Sequence, residues 1–229
     1  MGHIAPGVNP GWLRPRGTGK GRGMDFDFSA IGAELRCKLL CSFMGPRPIA
    51  LVTTLGLDGV PNAAPMSLLN VFAQTPPLLI LGLQDRPHGP KDTTRNIRDL
   101  GELVVNLVDA PLARQMVACS VDHPPEIDEA AAAGLTLLPS IAVRPGRIAE
   151  APVSFECRLE RTVDFPGRCI VFAEVVHMHV RDTCIDPRTL RVLPEQYRPV
   201  ARMHGDWYVT AEDWYELRKP PLPGDGGPA

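Results

Sequence analysis

The chain lacks any apolar run near the roughly 20 residues that a membrane-spanning helix needs, which excludes a helical span. Its N-terminus lacks an uninterrupted apolar stretch of the signal-peptide kind, so secretion is not indicated and a cytoplasmic protein is expected. It has no C-x-x-C pair: Cys37, Cys41, Cys119, Cys157, Cys169 and Cys184 are scattered. That excludes the usual zinc-ribbon and thioredoxin-like spacings and reads as reduced thiols. Charge of one sign is lacking too. A net charge of −2 and a pI near 6.3 give no support for broad binding to nucleic acid or an anionic membrane. No G-x-G-x-x-G follows a strand, so no dinucleotide fingerprint is present. Ser67 stands in no nucleophile-elbow pattern, which argues against acyl transfer. The run Gly17-Thr18-Gly19-Lys20-Gly21 is not a phosphate loop, because Lys20 is not followed by Ser or Thr and no strand precedes it.

What the chain has in excess is proline, 25 in 229 residues, about twice the average usage of roughly 5%. The prolines fall between apolar runs as well as near the ends, which suggests many short elements joined by fixed turns. Hydrophobic content of 44% and a mean hydropathy of −0.04 describe an ordinary domain, long enough to bury a large core. Residues 1–23 carry seven glycines, three prolines and four basic residues with no acidic one. They are expected to form a disordered tail, with Met24 a candidate first residue. The domain is placed at 24–219, and 220–229 reads as a frayed Pro/Gly-rich tail.

The most informative stretch is Pro46–Asn70. Ile49 to Thr54 alternates as a half-buried strand ending in hydroxyls, and Asp58-Gly59 is a strong hairpin signal. The returning arm contains Pro61 and Pro65, which cannot donate to a ladder, so it reads as an edge strand with Asn62, Ser67 and Asn70 free for other partners. Those amides and hydroxyls have two readings, contacts to a small polar ligand or completion of turns. Thr75-Pro76-Pro77 makes a corner into Leu78–Leu83, a continuous apolar run that predicts a buried central strand.

Lys91–Gly101 reads as a helix capped by Asp92 or Thr93, closed by Gly101, with Ile97 and Leu100 inward. Its basic and hydroxyl-bearing start is either an ordinary cap or an anion site. Strands follow at Leu103–Val108, Val153–Glu160 and Ile170–Val180, and short helices at Ala110–Cys119 and Glu126–Ala133. In the strand from Val153, the pattern places Val153, Phe155, Cys157 and Leu159 inward and Ser154, Glu156, Arg158 and Glu160 outward. His177 and His179 share a strand face; a structural pair fits better than a metal site, since no further ligand lies at a recognisable spacing. Trp207 and Tyr208 could stack on a planar ligand or pack a corner.

Composition and periodicity give a mostly-β domain with short helices. The order of the pieces adds more: strand, Gly56-Leu57-Asp58-Gly59 turn, Asn62-Ala63-Ala64-Pro65-x-Ser67-x-x-Asn70, Pro-Pro corner, buried strand, Lys91-Asp92-Thr93-x-x-Asn96-Ile97 helix, strand. This order, over about residues 40–210, resembles the flavin reductase-like family, close to its flavoredoxin branch, whose fold is the FMN-binding split β-barrel. Arg198–Tyr208 resembles the family's closing motif. The resemblance implies FMN held without a covalent bond in a groove at a homodimer interface. It implies Thr53 and Thr54 near the ring and ribityl chain, Ser67 and Asn70 at the isoalloxazine edge, and Lys91, Thr93 and Asn96 at the phosphate, with Arg47 adding charge. NADH or NADPH would donate hydride to the flavin, and a small molecule or redox protein would take the electrons. No side chain is assigned as catalytic, because hydride transfer needs no acid or base, and no metal site is assigned. The resemblance leaves two other classes open: a flavoredoxin-like electron carrier with no NAD(P)H site of its own, and a non-enzymatic barrel holding flavin or haem.

Overall fold

The computed structural model describes residues 13–15 and 24–217. The proposed tail at 220–229 lies outside the described residues, as does most of 1–23. Within that N-terminal segment β1 (Leu13–Pro15) pairs antiparallel with β2 (Met24–Phe26).

Seven antiparallel strands form the main sheet. In chain order they are β4 (Ala50–Leu55), β5 (Pro61–Met66), β6 (Leu69–Gln74), β7 (Pro77–Gln84), β8 (Glu102–Leu107), β11 (Val153–Phe165) and β12 (Arg168–Val180); across the sheet they run β5-β4-β8-β11-β12-β7-β6. A smaller sheet joins β3 (Arg47–Pro48), β13 (Val200–Arg202) and β14 (Tyr208–Thr210), and β9 (Leu137–Leu138) pairs with β10 (Arg147–Ile148). The proline-bearing β5 lies at an edge, where its missing N–H groups cost least. The hairpin between β4 and β5 turns at Gly59, whose φ of 85° is a conformation that favours glycine. The returning arm, read as one strand through Asn70, breaks after Met66, and Leu69–Gln74 begins anew. It is a separate edge strand, running antiparallel to β7.

Strand β4 is buried on both faces, not one. Ala50 and Val52 pack with Leu81, Leu103, Val105 and Val171 inside the barrel. Ile49 and Leu51, pointing the other way, pack with Val108, Leu112, Met116 and Val200 in a second core. That second core is closed by α3 (Ala113–Ala118) and α4 (Glu129–Ala132), both shorter than the sequence pattern predicts. The outward face of β11 is covered as well. Ser154 and Glu156, expected to meet solvent, are 2% and 0% exposed, because the segment 137–148 lies over them.

Helix α2 (Asp92–Leu100) packs against β4, β5 and β8 through its buried Ile97. It ends at Gly101, φ 69°, as its sequence predicts. Its start differs. Lys91 holds the N-cap position without a side-chain bond, and Asp92 is already in the helix. A further helix, α1 (Ala33–Phe43), precedes β3.

Candidate functional site

The residues singled out from the sequence fall into three places. The first is a sealed polar seam on both faces of β4, with Thr53 and Asn106 on the side of the segment 137–148 and Thr54, Asn62, Thr93 and Asn96 on the side of α2. Thr53 Oγ1 donates to the Gly146 carbonyl at 2.6 Å and accepts from Asn106 Nδ2 at 3.2 Å. Thr54 Oγ1 accepts from Asn96 Nδ2 at 3.1 Å, and Thr93 Oγ1 accepts from Asn62 Nδ2 at 3.0 Å. All six side chains are buried. The Thr54–Asn96 and Asn62–Thr93 bonds dock α2 on β4 and β5, and the Thr53 bonds tie the opposite face of β4 to β8 and to the segment 137–148, each bond offsetting the desolvation of its partners.

Asn106 is the hub of the seam and was not singled out from the sequence. Its amide donates to the Leu51 carbonyl (3.0 Å) and to Thr53, and accepts from Ile148 N–H (3.0 Å) and Ser154 Oγ (2.8 Å). The signal was present: an amide inside the apolar run Leu103-Val104-Val105-Asn106-Leu107-Val108 must find partners or cost several kcal/mol on the order of 2–7.

The second place is the N-terminal end of α2. Asp92 is buried, but its charge is met twice, by Arg86 Nη1 at 3.0 Å and Arg95 Nη2 at 2.5 Å. The carboxylate therefore does not leave an unopposed negative charge there. Lys91 is exposed and makes no ion pair among the described residues, while Thr94 Oγ1 is buried without a hydrogen-bond partner. Free backbone N–H groups, a free ammonium and an unpartnered hydroxyl together suit an anion.

The third place is an open groove of about 1000 Å³ lined by α1, β3, β6, β7 and the start of β12. Arg47, Ser67 and Asn70 line it, over apolar Ile80, Gly82 and Ile170. Ile80 and Gly82 thus face the groove from β7, a strand expected to be buried throughout. Arg47 is largely committed to the fold: its guanidinium donates to the carbonyls of Cys41 (2.5 Å), Met44 (3.1 Å) and Met203 (2.5 Å). Lys91, Thr93 and Asn96 do not line this groove. The rim carries large exposed apolar side chains, Leu40, Phe43, Met44 and Leu68 among them.

The two histidines form part of a fourth arrangement. His179 Nε2 lies 2.6 Å from Glu156 Oε1, and the His177 ring is 4.8 Å from that of His179. Burial alone would raise the Glu156 carboxyl. The bonds from His179 and the Ile141 and Ala142 N–H groups outweigh it and hold the carboxyl below its ordinary value. No cluster of three or more metal-ligating side chains exists among the described residues. Tyr208 packs against the second core and stacks under the Arg202 guanidinium at 5.2 Å.

Comparison with known proteins agrees with this architecture. The crystal structure of Pseudomonas fluorescens 2-nitrobenzoate 2-nitroreductase NbaA is 38% identical, with a TM-score of 0.80 over 88% of this chain and 99% of that one. Nitrilotriacetate monooxygenase component B from Bacillus cereus is 28% identical, with a TM-score of 0.83 over 86% and 100%. The flavoredoxin of Desulfovibrio vulgaris (Miyazaki F) shares the fold at 19% identity, with a TM-score of 0.66 over 75% and 90%. Residues 44–201 match the flavin reductase like domain. With that match covering most of the described chain, and with the split-barrel sheet in place, the protein belongs to the flavin reductase-like family.

Proposed function

We propose that this protein is an oxidoreductase that binds FMN non-covalently and passes electrons from NADH or NADPH through it to an acceptor. The observation that carries the reading is the α2 end. An unpaired Lys91, the buried and unpartnered Thr94 hydroxyl and the doubly neutralised Asp92 fit a phosphate, and they do so in a chain of this family. The groove fits the rest of such a cofactor: Ile80, Gly82 and Ile170 supply an apolar floor, and Ser67 and Asn70 supply polar edge groups. When bound, FMN supplies the redox chemistry, taking hydride from the nicotinamide. The chain's part is to position the cofactor and exclude water; no side chain is assigned a proton transfer.

A homodimer completes the reading. Leu40, Phe43, Met44 and Leu68 leave the groove rim apolar and exposed, a surface that a second copy would cover. The anion-ready α2 end and the groove are separate sets in one chain, and a dimer is the arrangement that lets both serve one flavin. The test is the absorbance spectrum of the purified protein before and after anaerobic addition of each nucleotide, with sedimentation run alongside. Flavin bands that bleach with NADH or NADPH on a dimeric protein are expected. Bands that bleach only with dithionite would replace the reductase by an electron carrier, and a protein that takes up no FMN would overturn both.

A further inference from the structure

Helix α1 carries two thiols one turn apart, and no function described above uses them. Cys37 is exposed and Cys41 half-buried, and their sulfurs stand 4.0 Å from one another. The remaining four cysteines are buried, and no disulfide forms among the six. An i, i+4 spacing puts two side chains on the same helical face. Both thiols line the groove beside apolar Leu40, Phe43 and Met44. The helix end that bears them is fixed by Arg47, which donates to the Cys41 and Met44 carbonyls.

Two sulfurs bound to one centre with bonds of about 2.3 Å at a tetrahedral angle lie about 3.8 Å apart, and the narrower angle of a pyramidal centre draws them slightly closer, within a small side-chain adjustment of the separation found here. A structural metal would need two more ligands, and no third His, Cys, Asp or Glu joins the pair among the described residues. A centre that needs only two thiols and carries an organic group of its own meets the geometry without more protein ligands. The apolar groove wall is then available to that organic group.

We propose that Cys37 and Cys41 form a chelating site for monosubstituted trivalent arsenicals and like thiophilic electrophiles. The reaction is R–As=O plus two protein S–H groups giving R–As(S–Cys37)(S–Cys41) plus one water. Two As–S bonds form, the As=O bond breaks, its oxygen leaves with both thiol protons, and arsenic remains trivalent. Burial and the neighbouring Cys37 push the Cys41 thiol up, against Arg47 and Arg168, which lowers its thiolate fraction and slows its attack without changing the two-thiol product. The site rests on the sulfur geometry and not on the flavin reading, though both use the same groove, so the probe is added to the flavin-free chain.

The test uses the full chain, kept reduced with a phosphine, and phenylarsine oxide as the probe. Native mass spectrometry should show one adduct per chain, equal to the reagent minus one water, and the count of fast-reacting thiols should fall by two. Cys37→Ser or Cys41→Ser should weaken retention against a competing small dithiol by roughly 100-fold, because only the pair chelates. Neither side chain is part of a core, and the thiol count on the unaltered protein gives the answer without any variant. Absence of an adduct, loss of fewer than two fast thiols, or an adduct retained equally by both single variants would overturn the proposal.

Discussion

The seam around β4 and the groove beside α1 are built from the same kinds of residue and do opposite things with them. In the seam, Thr53 and Asn106 on one face of β4, and Thr54, Asn62, Thr93 and Asn96 on the other, bond within their own face and are closed to solvent. In the groove, Ser67 and Asn70 edge an open space, and Asn70 is exposed with its Oδ1 on its neighbour's backbone N–H. Hydroxyls and amides near a hairpin therefore do not announce a ligand. Whether their partners are protein or solute depends on what packs over them, and here α2 and the segment 137–148 cover one set while the groove set stays open. The difference predicts that damage to the seam registers as stability and damage to the groove as affinity.

The sharpest break is at the hub of the seam. Asn106→Ala leaves the Thr53 and Ser154 hydroxyls and the Ile148 N–H without their buried partner. A loss of about 3 kcal/mol or more in urea unfolding is expected. A loss under about 1 kcal/mol would mean that the Asn106 side of the seam does not hold the segment 137–148 to the barrel.

Glu156 comes next, because it is a buried charge that the fold satisfies completely. Its carboxyl is held below the ordinary value in the folded state, so the stability it contributes is present above the unfolded carboxyl's range and lost as pH falls through the folded value. Glu156→Gln should cost about 2 kcal/mol at neutral pH and flatten the fall in stability below the ordinary carboxylate range, measured by chemical denaturation across pH. An unchanged acid limb in the variant would remove Glu156 from the acid response.

These two residues also mark what the sequence could and could not tell. The edge position of β5 was legible from Pro61 and Pro65, the turn from Asp58-Gly59, and the end of α2 from Gly101, because each follows from local backbone chemistry. The second buried faces of β4 and β11 were not legible. An alternating pattern reads one face as wet, but Ser154 and Glu156 are dry because a segment distant in the chain covers them. Helix α1 gives little sequence signal for a related reason: it has no buried residue and no strong apolar stripe. Of the eight residues that the resemblance singles out, Thr53 and Asn96 are sealed in the seam while Ser67 and Asn70 edge the groove, a division that packing sets and residue type does not.

Lys91 sharpens the comparison from a different side, since it is exposed but stands at the end of the helix that seals the seam. Lys91→Ala should change stability by less than about 0.5 kcal/mol. It should weaken FMN about tenfold, the loss of one charge-assisted contact near 1.4 kcal/mol. Riboflavin, which has no phosphate, should bind both forms equally in a fluorescence titration. Equal loss for both ligands would move the phosphate away from α2.

The smallest effects are expected in the groove. Ser67 is half-buried and Asn70 exposed, and neither side chain bonds to a distant part of the fold. Ser67→Ala and Asn70→Ala should therefore unfold within about 0.5 kcal/mol of the unaltered protein. Each should weaken flavin only a few-fold, because a neutral hydrogen bond is worth about 1 kcal/mol net. Unlike Lys91→Ala, they should weaken riboflavin as much as FMN, since an edge contact reads the ring and not the phosphate. Thr54→Val is the matched control from the seam: it removes the acceptor for Asn96 and should lower stability by about 1–2 kcal/mol. If Thr54→Val left stability intact and abolished flavin binding, the division between a structural seam and an open groove would fall, and the strand-end hydroxyl would itself belong to the cofactor.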